Sequence, residues 1–206
     1  MTRSLLVLGC GGHGRVVADA ALDCGYEEVA FLDDAASVDR PTGLRVLGPF
    51  KAATELANEW PVAIAAVGNG AVRLELFHNL RRMGFQTPRI VHPSAVVSRG
   101  ASLGEGIFVG VGAIINVGVQ IGDAVIVNTG ARIDHDCEIG AGSHIAPGAT
   151  LSGGVVVGER AWLGTGCAVR QGVKIGSGAL IGVGAAVVSD LAADKTFAGV
   201  PARILE

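Results

Sequence analysis

Hydrophobic residues recur at every sixth position over much of the chain: Val97, Leu103, Val109, Ile115, Ile121, Val127, Ile133, Ile139, Ile145, Leu151, Val157, Leu163, Val169, Ile175, Ile181 and Val187. Sixteen consecutive aliphatics at one spacing fit neither an amphipathic helix, with a period near 3.6, nor a plain strand, with a period of about 2. The period describes a short strand and a turn, repeated. Three residues after each aliphatic, from Gly100 to Gly184, stands Gly, except at Ala124, Asp136 and Arg160. Gly there supplies a tight turn. One residue later comes a column of small or aliphatic side chains, among them Ala101, Ala113, Ala131, Cys137, Ala149, Ala161 and Cys167, sized for a narrow interior.

This pattern resembles the left-handed parallel β-helix, in which three hexads make one triangular coil and successive coils hydrogen-bond about 4.8 Å apart. The left hand comes from that resemblance, because ordinary crossover connections are right-handed. The sixteen hexads amount to about five coils, and no hexad is interrupted, so no loop is expected to leave the prism.

The first part of the chain follows a different rhythm. An apolar strand at residues 4–8 leads into Gly9-Cys10-Gly11-Gly12-His13-Gly14, then a helix from Arg15 to about Asp23, then a strand at residues 29–32 that ends in Asp33-Asp34. Strand, glycine turn, helix, strand and acidic residue is the layout with which a Rossmann-type unit cradles phosphate and holds a ribose. A helix over residues 50–59, a strand at 62–67 ending in Gly68-Asn69-Gly70, and a helix to Met83 complete a small α/β unit. We therefore expect two domains, residues 1–90 and 91–206. About 90 residues make half of a full dinucleotide fold, which favours a single nucleotide over NAD. His13 in the loop can donate to a phosphate or a sugar hydroxyl, a capacity that a purely structural turn does not need.

Composition narrows the function. Of 206 residues 50% are hydrophobic and 17% charged, with a net charge of -3, 32 Gly and few aromatics, which describes a soluble protein rich in regular turns. With no basic stretch interleaved with aromatics, neither nucleic acid nor a membrane surface is expected as partner. The apolar run over residues 106–122 is broken by Asn116 and Gln120 and belongs to the repeat. Cys10, Cys24, Cys137 and Cys167 show no zinc-site spacing and read as small buried residues in a reducing compartment. The N-terminus carries no signal-peptide pattern, so the expected location is cytoplasmic.

One hexad departs from the repeat: Ile133-Asp134-His135-Asp136-Cys137-Glu138, with Asp136 where Gly is the rule. His135 is a candidate general base, kept basic and oriented by neighbouring carboxylates. If residues eighteen apart stack, Gly153 and Gly154 lie one coil beyond His135 and Asp136, leaving a slot whose backbone N–H groups could face an oxyanion. Asn116 then lies one coil before Asp134. His144 would stack between Ile126 and Trp162, either packed or bonded to a ligand near His135. His78 and His92 lack obvious polar companions. No metal-ligand spacing and no Ser-His-Asp or Cys-His arrangement is visible, so direct transfer is favoured over a covalent intermediate.

On the glycine loop, Asp33-Asp34, Asn128-Thr129-Gly130, the segment Asp134-His135-Asp136-Cys137-Glu138-Ile139-Gly140 and the ending Ala198-Gly199-Val200-Pro201-Ala202, the chain resembles the bacterial nucleotide-sugar acetyltransferases that N-acetylate 4-amino-sugars in bacillosamine or perosamine pathways. The sialic acid O-acetyltransferases are close relatives. The resemblance implies an acetyl-CoA-dependent enzyme and a homotrimer, with acetyl-CoA along the prism face between subunits and a UDP- or GDP-linked sugar in the N-terminal domain. It implies His135 as base and Asp136 as its tuning partner, although relatives can carry Glu there. His144 and Gly153 are expected at acetyl-CoA, and Gly11, Gly12, His13, Asp33, Asp34, Gly68 and Asn128 at the nucleotide-sugar, with no metal. A sugar O-acetyltransferase remains the alternative, and a non-catalytic hexapeptide scaffold a weaker one. Trimer formation is expected to use exposed apolar residues such as Val111, Val117 and Val119.

Overall fold

In the computed structural model, which describes residues 3–35 and 43–205, strand β1 (Ser4–Leu8) pairs in parallel with β2 (Glu28–Leu32) and with β4 (Ala63–Ala65). Strand β3 (Val46–Gly48) adds beyond β2, giving the order β3-β2-β1-β4. The run Leu5-Leu6-Val7-Leu8 is apolar throughout because both faces of the sheet are covered. Leu5, Val7 and Phe31 face helix α1 (Gly12–Asp23), whereas Leu6, Leu8 and Leu32 face Trp60, Leu80 and Phe85 on the other side.

Three elements differ from the sequence expectation. Helix α1 starts at Gly12 and not at Arg15, because Gly11 is extended (φ -69, ψ -171) and the loop enters the helix directly. The helix expected over 50–59 is reduced to a 3-10 turn at Phe50–Ala52 and a single turn, α2 (Ala53–Leu56). Trp60 precedes Pro61, and a residue before proline is turned away from the helical region. The strand contracts to β4, with Ala66 and Val67 passing into the loop before α3 (Gly70–Arg82). Asn69 caps α3 by accepting from the N–H groups of Ala71 and Val72.

Residues 90–187 form the prism. Seventeen two-residue strands run from Ile90–Val91 to Ala186–Val187, each pairing in parallel with strands eighteen residues away, so the first rung forms one hexad before Val97. Turns alternate with strands to build three sheets. The second residue of each strand points inward and, together with the small column, fills a core of Leu, Ile, Val, Ala and Cys. The turn position has positive φ along nearly the whole column, and Ala124, Asp136 and Arg160 adopt it without being glycine (φ 52, 58 and 57). Parallel pairing to the flanking coils dictates that conformation whatever the side chain.

The outward residues give the three faces distinct characters. One carries Ser102, Gln120, Glu138, Val156 and Lys174; a second carries Val96, Ile114, Arg132, Thr150, Ala168 and Ala186. The third presents Phe108 and Ile126, which join the core of α1 and β1, and then His144, Trp162 and Leu180. The α/β unit therefore docks on this third face. Val111 and Val117 are 47% and 53% exposed, as expected. Val119 is not: it is fully buried, because it stands six residues after Ala113 in the inward small column.

Candidate active site

The glycine loop is held by contacts between backbones. A Cβ on Gly14 would overlap the carbonyl of Gly9, and one on Gly9 (φ 111) would meet Ala66 O and Val67 at 2.9 Å. Nothing lies within 4 Å of a Cβ on Gly12. Helix α1 has no side-chain cap and no acidic residue in its first turn, so its leading N–H groups are left to an anion. They open on a cavity of about 400 Å³ that brings together Gly11, Gly12, His13, Asp33, Asp34 and Gly68, all expected at the nucleotide. Ala66, Val67 and Phe50 complete its wall, and Phe50 also borders a neighbouring cavity of about 380 Å³ with Lys51 and Arg82 at its edge. The sequence gives no sign of this role for Phe50 and Lys51, which open what looks like a plain helix.

The two carboxylates shape this cradle. Asp33 accepts from the N–H of Cys10 (2.6 Å), inside the glycine loop, and from that of Ala35 (2.9 Å). Asp34 accepts from the N–H of Phe50 (2.7 Å) and so draws that segment to the cavity. Gly14→Ala is expected to lower folding stability by about 1–3 kcal/mol through overpacking, while Gly12→Ala melts like the parent. Thermal melts of the two variants check this, and equal melting temperatures would show that the loop relaxes freely.

At the junction of the two units, the His13 ring packs edge-on to Phe108 (5.3 Å) and 6.2 Å from His144. Asn128 Nδ2 donates to His144 Nε2 (3.0 Å), and its Oδ1 accepts from the Thr129 N–H, which fixes the amide's orientation. His144 Nε2 is thus the acceptor, and the ring proton lies on Nδ1. His144 Nδ1 and His13 Nε2 are buried without a protein partner, two ring atoms turned to the interior of the junction. Burial, then the charge of Arg73, lowers the pKa of His13 to about 3 and that of His144 to about 4, so both are neutral. His144 does stack between Ile126 and Trp162, but this face is separate from the turn that carries His135.

That turn follows the Arg132–Ile133 strand. Asp134 accepts from the His135 N–H (2.8 Å) and from Asn116 Nδ2 (3.0 Å), one coil below as the spacing predicts. His135 Nδ1 lies 2.8 Å from Asp136 Oδ2. With Nδ1–H donated to the carboxylate, Nε2 keeps its lone pair, and the side chain is 55% exposed. The bond from Asp136, then the charge of Asp134, raises the His135 pKa above 6.5. The expected slot at Gly153 is filled by His135 itself: a Cβ on Gly153 would come within 2.5 Å of the ring. The N–H of Gly154 is bonded to the His135 carbonyl (2.9 Å) and is not offered to an oxyanion.

Elsewhere, His92 has the polar companions that its surroundings in the chain did not suggest. Its Nε2 meets Asp23 (3.0 Å) and its Nδ1 the Ser94 hydroxyl (2.8 Å), pinning the end of α1 to the first coil. Cys24, Cys137 and Cys167 are free thiols, and among the described residues no cluster of three His, Cys, Asp or Glu could hold a metal. No helix of the described residues is long and apolar enough to cross a membrane.

Two-residue rungs stacked eighteen residues apart, with a glycine-loop unit docked on one face, define a class first: the hexapeptide-repeat transferases. Residues 4–80 match the family profile of the PglD N-terminal domain, and residues 118–153 that of the bacterial transferase hexapeptide (six repeats). The acetyltransferase domain of PglB from Neisseria gonorrhoeae FA1090, solved in complex with acetyl coenzyme A, is 42% identical over 100% of both chains with a TM-score of 0.94. PerB from Caulobacter crescentus, solved in complex with CoA and GDP-perosamine, is 40% identical with a TM-score of 0.94, covering 98% of this chain and 97% of that one. The UDP-N-acetylbacillosamine N-acetyltransferase of Bacillus subtilis (strain 168) is 38% identical over 112 residues, 52% of this chain and 51% of that protein, so the match spans about half of its length. The chain belongs to the family of bacterial hexapeptide-repeat nucleotide-sugar acetyltransferases that these proteins represent. Its fold class is that of the family, a Rossmann-like α/β unit followed by a left-handed parallel β-helix.

Proposed function

We propose that the protein transfers the acetyl group of acetyl-CoA directly to the 4-amino group of a UDP- or GDP-linked amino-sugar, with His135 as general base. The observation that carries this reading is the His135–Asp136 pair, an exposed imidazole whose Nδ1 is held by a carboxylate and whose Nε2 is left to accept a proton. The amine nitrogen attacks the thioester carbonyl, the carbon–sulfur bond breaks, and the amine proton passes to Nε2 and on to the departing thiolate. The cradle at residues 9–14 supports binding of the nucleotide's phosphates, with Asp33, Asp34 and Gly68 around it and His13 at its inner end. His144 and Gly153 are assigned to the acetyl-CoA side and Asn128 to the sugar side, Asn128 acting also as the group that orients His144. Because His135 and Gly153 share a turn on the far side of the prism from His144 and the cradle, the site joins the His135 turn of one subunit to the cradle and His144 of its neighbour.

The exposed apolar residues Val96 and Ile114, stacked on one face, and Val111 and Val117 in the turns support assembly into a homotrimer. We place the enzyme in the cytoplasm, where thiols such as those of Cys24 and Cys137 stay reduced. The test is mass spectrometry of UDP- and GDP-4-amino-sugars incubated with acetyl-CoA, with thiol release followed in parallel. An N-acetyl product supports the reading, an O-acetyl product moves it to the sugar O-acetyltransferase, and no product with either nucleotide overturns it.

Activity is expected to rise with pH as His135 loses its proton, with a midpoint above the usual 6.5 because Asp136 stabilises the imidazolium. In Asp136→Asn that midpoint should fall toward 6.5 and the plateau should drop by less than in a variant lacking the imidazole. An unchanged profile of kcat against pH in Asp136→Asn would break the link between the two residues.

A further inference from the structure

Arg73, in the first turns of α3, is 1% exposed, and every N–H of its guanidinium is given to a carbonyl. Nε donates to Ala124 O (2.7 Å), Nη2 to Gly142 O (2.6 Å) and Ser143 O (3.1 Å), and Nη1 to Val67 O (2.8 Å) and Gly68 O (3.0 Å). Ala124 and Gly142 belong to turns one coil apart on the prism, while Val67 and Gly68 form a wall of the nucleotide cavity. Besides the covalent chain, one side chain thus ties that wall to two successive rungs. The backbone is as close: a Cβ on Gly70 would lie 2.5 Å from Gly142 O. Among the described residues no carboxylate is a partner of Arg73, and burial lowers its pKa only to about 10, so the group stays charged near neutral pH and its donors stay strong.

We infer that Arg73 is a positioning residue for the reaction: it sets the register of the nucleotide-holding loop on the prism, and thereby the place of the sugar amine relative to the acetyl donor, without touching either substrate. This rests on the proposed division of substrates between the two units. Lysine cannot replace it, because three donors on one ammonium cannot span three backbone segments that a planar five-donor fork reaches at once. A shift of about 1 Å in the position of a reacting group can lower a rate by about 10²-fold.

The test is Arg73→Lys, with Gly70→Ala as a second perturbation of the same joint that leaves the guanidinium in place. For each we expect kcat per folded molecule to fall by about 10²-fold while the Kd of acetyl-CoA, measured by calorimetry without the sugar, stays within about twofold. A loss of stability alone would lower the melting temperature and leave kcat per folded molecule intact. A binding role alone would raise KM and leave kcat intact. Either result overturns the inference, and if Arg73→Lys does not fold, Gly70→Ala decides by the same criterion. Failure of the parent protein to bind any nucleotide-sugar would instead remove the proposed function on which the inference stands, and the inference with it.

Discussion

His135→Ala is expected to lower kcat for acetyl transfer by about 10²–10⁴-fold and to leave nucleotide-sugar affinity nearly unchanged. The imidazole stands at a turn on the far side from the cradle residues that pack on the Phe108 and His144 face, so its removal disturbs no contact there. Its ring also fills the space over Gly153, and the variant opens a shallow exposed gap without uncovering the prism core. The loss should therefore appear in kcat and not in folding. The amine supplies part of the answer itself: at high pH a larger fraction is already deprotonated, and the deficit should shrink. Steady-state kinetics at pH 7 and pH 9 with both substrates saturating check the expectation. A variant that keeps near-full kcat at neutral pH would make His135 a structural residue and put the base elsewhere.

Lowering the pH from 7 to 5 is expected to remove about 4 kcal/mol of folding stability through His13 and His144 together. In the unfolded chain both protonate near 6.5; in the folded protein they do so only at about 3 and about 4. Below pH 6.5 the unfolded state binds more protons, so stability falls as pH falls, by about 2 kcal/mol for each residue at pH 5. The decline continues until the folded pKa values are reached. Burial is the larger cause and the fixed charge of Arg73 the next, so protonating either ring would place two cations side by side in the junction. His135 has the opposite sign, since its raised pKa adds stability at low pH, but it is exposed and its share is small. Urea denaturation at pH 7 and pH 5 measures the drop. The double variant His13→Gln/His144→Gln should flatten it, and an unchanged slope would locate the acid sensitivity in other groups.

The prism was legible because its rule is arithmetic. A period of six with glycine in one column and small residues in the next specifies strand, turn and interior, and the pairing of Asn116 with Asp134 and of His135 with Gly153 followed from counting eighteen. The same count would have placed Val119 inside. Val119 shares a column with Ala113, and that column points inward. The glycine loop and Asp33 were found by their order along the chain, but that Asp33 braces Cys10 could not be, since the bond is to a backbone N–H twenty-three residues away. Arg73 left one faint signal: it stands four and seven residues before Phe77 and Leu80, on the buried stripe of α3. Its partners themselves were not legible, because they are carbonyls, which every residue possesses. The Asn128–His144 contact was missed for a related reason: it joins residues sixteen apart, across the rungs, and no column count relates them.

The lattice-like build of the prism also limits how this protein can change over evolutionary time. Inserting or deleting one residue within a rung would displace the pairing of that coil with its neighbours, since each residue pairs with a partner at a fixed interval of eighteen. Length variation is thus confined to whole coils or to loops thrown off at corners. The connections of the α/β unit, such as the stretch from Val46–Gly48 to Ala63–Ala65, obey no such interval. Descendants of this sequence are free to exchange one acceptor for another through those connections, whereas the half that holds the His135–Asp136 turn is inherited nearly as a block.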